Sequence, residues 1–154
     1  MIELKVKKLH PDATIPTYAT DGSGCFDLHA YLPKPDGADE PDQFVAVGMP
    51  LKIPTGLAFE IPEGFAMLIY SRSGHGFKSD VRLANCVGVI DQDYTGEVMV
   101  KLTRDGESFN PIQIKHGERV AQAMLVPAPR VTFIEVDELS ETERGTGGFG
   151  STGN

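Results

Sequence analysis

The chain is short of sulfur, of positive charge and of long apolar runs. Its only cysteines, Cys25 and Cys86, stand alone, with no Cys-x-x-Cys and no zinc-ligand spacing. That excludes a disulfide framework and predicts buried free thiols in a reducing, cytoplasmic compartment. The histidines (His10, His29, His75, His116) are scattered, with no helical pair suited to a metal. Fourteen Lys and Arg face 22 Asp and Glu, a net charge of −8. This excludes a general nucleic-acid coat, which needs a basic face, but leaves room for a local cluster of Arg and backbone N–H groups around a nucleotide. No apolar stretch approaches the ~20 residues of a membrane span. The start, Met1 to Lys7, alternates apolar and charged residues and has no signal-peptide h-region. The longest helical window is a single short turn, and no internal repeat is visible.

Glycine and proline are abundant, 17 and 11 in 154 residues, which suits many short strands joined by turns. Ile2, Leu4 and Val6 alternate with charged residues and predict a strand with one buried face. Residues 10–23, punctuated by Pro11 and Pro16, read as loop. Phe26, Leu28 and Ala30 share one strand face, with Asp27 on the polar side. Residues 33–43 hold three prolines and four acids and cannot build a core. They read as an exposed insertion, with a protein partner there as an open question. Further strands are predicted at Phe44–Val47, Lys52–Ile53, Leu57–Ile61, Phe65–Tyr70, Val120–Val126 and Thr132–Val136, with residues 74–78 as loop. The expectation is one all-β domain, a jelly-roll-like barrel over 1–137 followed by a polar, then Gly-rich, tail over 138–154.

Residues 85–100 read as strand, tight connection, strand: a β-hairpin whose tip carries Asp91, Asp93 and Tyr94, with Gly96 supplying turn freedom. A carboxylate on a rigid tip can act as a general base, and a neighbouring tyrosine can wall a planar ligand. The same residues also make an ordinary polar turn. Ser71-Arg72-Ser73-Gly74 offers a planar fork of donors, a hydroxyl and close backbone approach, which suit phosphate oxygens as well as a surface turn. Gln122 is an amide in an apolar strand, satisfied either by backbone or by a ligand. The tail from Gly145 to Thr152 imitates both a dinucleotide fingerprint and a P-loop. Both need a following helix, and only Ser151 to Asn154 remain.

Gly88-Val-Ile-Asp91-x-Asp-Tyr94-x-Gly-Glu-Val resembles the third motif of the trimeric dUTP pyrophosphatases (dUTPases). Gly24-Cys-Phe-Asp27-Leu-His-Ala30, Ser71-Arg-Ser-Gly74, Gly117-Glu-Arg-Val-Ala-Gln122 and Arg144-Gly-Thr-Gly-Gly-Phe-Gly-Ser-Thr-Gly153 match the family's other motifs in order. The resemblance implies a distorted jelly-roll with a flexible Gly-rich C-terminal arm. It implies hydrolysis of dUTP to dUMP and pyrophosphate, which limits uracil in DNA and supplies dUMP for thymidylate synthesis. Asp91 would be the base. Asn85, Val89, Tyr94, Met99 and Phe149 would meet base and sugar. Arg72, Ser73, Gly74, Gln122, Arg144, Gly150, Ser151 and Thr152 would hold phosphates. Mg²⁺ would ride on the triphosphate, with Asp27 acting through metal-bound water or through an arginine such as Arg119. Three-fold homotrimers with composite sites are implied, with no membrane or nucleic-acid partner. The family usually has Pro where this chain has Ser71, which is expected to loosen that turn. The competing enzyme is dCTP deaminase, whose catalytic glutamate motif finds no match. The competing non-enzyme is a nucleotide-sensing or protein-binding module.

Overall fold

The computed structural model describes residues 2–33, 43–46, 48–106 and 111–148. Two four-stranded antiparallel sheets face each other. The first runs in the order β1 (Lys5–Lys8), β4 (Leu51–Glu60), β8 (Glu97–Arg104), β6 (Val81–Leu83). The second runs β2 (Phe26–His29), β10 (Arg119–Pro127), β5 (Phe65–Tyr70), β7 (Val87–Ile90). A two-stranded ribbon pairs β3 (Gln43–Val45) with β9 (Ile112–Ile114). The sheets do not close on each other, so the all-β expectation holds as a distorted jelly-roll rather than a sealed barrel.

The core forms because side chains alternate across each strand. On β8, Val98, Val100 and Leu102 point inward and are buried, while Met99 and Lys101 point out. They meet Leu28, Met67, Ile69, Ala121 and Ala123 of the second sheet and Ile53 and Leu57 of β4. β4 is one ten-residue strand where the sequence predicts two short ones. It accommodates Pro54 and Gly56 through a register shift between Pro54 and Ala58, the usual way a strand absorbs a residue that cannot donate to the ladder. Gly56 has φ of 69°, and a Cβ there would come within 2.8 Å of Ala13, so only glycine fits.

Four other expectations change. Residues 74–78 lie within a helix, α1 (Ser73–Ser79), not a loop. The strand expected over Thr132–Val136 is absent, and the last strand ends at Pro127. Its alternation lacks a partner here: Val131, Phe133, Ile134 and Val136 are all exposed. Cys86 is exposed and Cys25 half-buried, so neither thiol is sealed in the core. Asp27, expected on the polar side of its strand, is buried. The acidic segment over 34–42 lies outside the described residues, and with it the partner question there. Among the described residues, no helix is long and apolar enough to cross a membrane.

Candidate active site

The stretch read as a hairpin is strand–turn–strand, but its two strands do not pair. β7 lies beside β5 in one sheet, and β8 lies between β4 and β6 in the other. Diverging to separate sheets, they leave a slot of about 460 Å³. Asn85, Gly88, Val89, Met99 and Lys101 line it, with Ile69 at its floor. Gly88 brings the backbone down onto that floor, because a Cβ there would meet the Ile69 Cβ at 3.2 Å. The slot's entry bends sharply. Cys86 has φ of 62°, and Val87 N–H donates back to the Asn85 carbonyl at 2.7 Å, a three-residue turn that costs backbone strain. Asn85, Val89 and Met99 therefore share this slot.

Asp91 follows β7 directly and is exposed, as are Asp93 and Tyr94. Their turn is riveted from beneath. Tyr94 N–H donates to the Asp91 carbonyl at 3.2 Å, and the Tyr94 hydroxyl donates to the Glu97 carbonyl at 2.8 Å. Glu97 Oε1 accepts from the Gly56 N–H of β4 at 2.8 Å, and the Thr55 hydroxyl donates to the Val98 carbonyl at 2.6 Å. Gly96 is needed for space rather than for turn freedom. It is not among the positive-φ glycines, but a Cβ there would strike the Tyr94 ring at 2.8 Å.

At the other end of β5 sits a polar circuit. Asp27 Oδ1 accepts from Arg72 Nε at 3.0 Å, and Asp27 Oδ2 accepts from Arg119 Nη1 at 3.2 Å. Both carboxylate oxygens are thus engaged by guanidinium groups, Arg72 as well as Arg119. Gln122 Nε2 donates to the Ser71 carbonyl at 2.9 Å, and the Ser71 hydroxyl accepts from Leu83 N–H at 2.9 Å. Serine in place of the family's proline thus ties this turn to β6 instead of loosening it. His75 Nε2 and Glu118 Oε1, 3.2 Å apart, link α1 to the turn before β10. His29 stands among these charges with Nδ1 buried and unpartnered. Burial first, then the nearby Arg119 and Arg72, hold its pKa below the usual 6.5, against the raising effect of Asp27. Arg72, Ser73 and Gln122 line one cavity of about 460 Å³. Gly74 lies exposed on the adjoining turn of α1.

These two ends do not meet within one chain. The pairing of Met67 with Ile90 sets Asp91 beside the start of β5, whereas Gln122 pairs with Tyr70 at its finish. From Ala66 to Arg72 is six residues, ~20 Å at a strand's rise. Arg144 lies on an exposed turn, its Nε donating to the Gly147 carbonyl at 2.9 Å. Phe149, Gly150, Ser151 and Thr152 lie outside the described residues. The sequence offered no signal for Glu97 as an anchor, because its partner Gly56 is 41 residues away.

The dUTPase family model matches residues 11–153. The chain is 44% identical over 153 residues to the deoxyuridine 5'-triphosphate nucleotidohydrolase of Nautilia profundicola, covering 99% of each chain. It is 43% identical over 159 residues to that of Pseudomonas paraeruginosa, covering 100% of this chain and 99% of the relative. The solved dUTPase of Staphylococcus bacteriophage 80alpha with dUPNHPP superposes with a TM-score of 0.81 at 26% identity, over the whole of both chains. Motifs in order, a split strand–turn–strand and a guanidinium-clamped aspartate lead to the same place: the chain belongs to the dUTPase family.

Proposed function

We propose that this protein hydrolyses dUTP to dUMP and pyrophosphate in the cytoplasmic nucleotide pool. The observation that carries the reading is the slot between β7 and β8, with Asp91 next in the chain after Ile90, one of the slot's lining residues. A pyrimidine enters the slot edge-on and meets the backbone of Gly88 and Val89 and the side chains of Asn85 and Met99. Ile69 and Gly88 set the depth and leave no room for a 5-methyl group. Tyr94, held by its hydroxyl, packs on the deoxyribose where a 2′-hydroxyl would sit.

Asp91 takes a proton from a water in line with the α-phosphorus. The water oxygen bonds to phosphorus, the bond from the α-phosphorus to the bridging oxygen breaks, and pyrophosphate leaves with that oxygen. A positioned base is worth about 10²–10⁴ in rate. Charge stabilisation by Arg72, Ser73, Gln122 and Arg144, with Gly74 allowing close approach, supplies more. Ser151, Thr152 and Gly150 would add backbone and hydroxyl donors from the arm, and Phe149 would cover the base. Asp27 is a positioning residue: it holds Arg72 through Nε, while Nη1 donates to the Arg119 carbonyl at 3.4 Å, which turns the Nη2 donors of that guanidinium toward phosphate.

Among the described residues, no three acidic, His or Cys side chains converge as a metal cage. Mg²⁺ would be carried mainly by the phosphates and water, with Asp27 acting on the site through Arg72 and Arg119. When bound, the ion neutralises triphosphate charge.

The ~20 Å between Asp91 and Arg72 within one chain supports composite sites in a homotrimer, because one nucleotide cannot span both ends. The exposed apolar run Val131, Phe133, Ile134, Val136 and Leu139 supports burial against another copy. The division into a β-body over 1–137 and a closing arm over 138–154 follows from the same reading. The test is pyrophosphate release from dUTP, dCTP, dTTP and UTP, with ammonia assayed alongside. Release from dUTP in large excess over the others is expected. Ammonia from dCTP, or no release from dUTP, would overturn the assignment.

A further inference from the structure

Asp91 shares a cavity of about 430 Å³ with Asp93, Gln92, Phe65, Ala66, Ala128 and Arg130. Arg130 follows β10, on the far side of β5 from Asp91. It is the odd member of its class. Arg72 and Arg119 are held by Asp27, Arg82 by Asp105, Arg104 by the Ser79 carbonyl and Arg144 by the Gly147 carbonyl. Arg130 has no hydrogen bond or ion pair among the described residues, although two carboxylates line the same cavity.

A simple counter-ion would close on one of those carboxylates, because a bidentate guanidinium–carboxylate contact is the strong form of that interaction. Arg130 lines the cavity with none of its guanidinium donors claimed among the described residues. The cavity also poses a charge problem for the reaction. With Asp91 and Asp93 alone it would carry two negative charges, and an anionic phosphate must approach Asp91 closely enough for in-line attack by water. A cation there offsets one charge and offers planar donors to phosphate oxygens. We infer that Arg130 is a further substrate-contacting residue, binding a non-bridging oxygen of the α-phosphate from the cavity that holds Asp91. The inference rests on the hydrolytic reading above and adds a residue outside every motif used for it.

Deoxyuridine 5′-monophosphate and deoxyuridine separate this role from a structural one, since they differ only in that phosphate. The experiment measures dUTP hydrolysis and its inhibition by each ligand for the wild-type protein, Arg130→Ala, Arg130→Gln and Arg130→Lys. Wild type is expected to bind the monophosphate more tightly than the nucleoside. Arg130→Ala and Arg130→Gln should weaken the monophosphate about tenfold and leave the nucleoside within about twofold, as expected for one charge-assisted contact. Arg130→Lys should fall between. Equal weakening of both ligands, or no weakening of either in a wild type that hydrolyses dUTP, would overturn the inference alone. A wild type that does not hydrolyse dUTP would overturn the parent reading, and the inference with it. Arg130 is exposed, so the variants are expected to fold.

Discussion

The two ends of β5 are built on opposite plans. At the Phe65 end, backbone does the positioning. Tyr94, Glu97 and Gly56 lock the turn through main-chain partners, and the carboxylates of Asp91 and Asp93 stay exposed. At the Tyr70 end, side chains position one another. Asp27 spends both oxygens on Arg72 and Arg119, and Gln122 is tied to Ser71. A base must be free to take a proton, so it is held by its backbone. Phosphate donors must resist rearranging when a highly charged ligand arrives, so they are held by their side chains.

The sharpest way to break this comparison is Asp91→Asn. It should keep fold and dUTP binding but lower kcat by about 10²–10⁴. Steady-state kinetics with thermal melting would show both, and wild-type kcat would remove Asp91 from its role. Next in size is complementation. Asp91→Asn and Arg72→Ala chains, each nearly inactive, are co-refolded. If the two ends meet only across subunits, one half times one half, roughly a quarter of sites, should recover. No recovery in mixed trimers, their exchange checked by mass spectrometry and their size by light scattering, would place both ends on one chain.

Asp27→Asn probes the side-chain plan. It removes the charge that holds two guanidinium groups and should cost about 1–3 kcal/mol, read from the denaturant midpoint, and raise KM more than it lowers kcat. A KM left at the wild-type value would show that the clamp is not needed for phosphate binding. Gly96→Ala probes the backbone plan. Its Cβ would push the Tyr94 ring from 2.8 Å, so discrimination between dUTP and UTP should weaken, though less than if the ring were removed by Tyr94→Ala. Unchanged relative kcat/KM would mean that the ring is not the sugar wall.

The smallest effect concerns pH. The folded-state pKa of His29 is depressed, chiefly by burial, so the unfolded chain binds the proton more readily. The stability that depends on neutral His29 is therefore present above about pH 6.5 and is lost as pH falls through the folded value. The fall in Tm below about pH 6.5 should be shallower in His29→Gln. Parallel curves for the two proteins would exclude His29 as the titrating group.

Local pattern made much of this legible. The alternation in Val98, Val100 and Leu102 gave β8 and its buried face, and Asp91 was visible as a carboxylate between two apolar runs. Sheet membership was not legible, because period describes a strand's faces and not its partner. That is why β7 and β8 read as a paired hairpin, and why Thr132–Val136 read as a strand that this chain alone does not form. Pro54 and Gly56 split β4 on paper, while in space a register shift carries the strand through. Gly74 and Gly76 argued against α1, yet Arg104 and His75 fasten it by tertiary contacts with no local signature. Arg130 matches no motif. Only the fold brings it to the cavity of Asp91.

Because β7 and β8 belong to different sheets, no ladder of hydrogen bonds fixes the width of the slot between them. The gap is instead set by how the two layers rest on their shared interior, and Ile69 is both a core residue and the slot's floor. Selectivity for the base is then a gauge of internal packing. Trimming Ile69 by one methylene to Val should be felt as tolerance of a 5-methyl pyrimidine as well as lost stability. In this architecture, mutational drift in the hydrophobic interior can be read out as errors in nucleotide choice before the protein loses its fold.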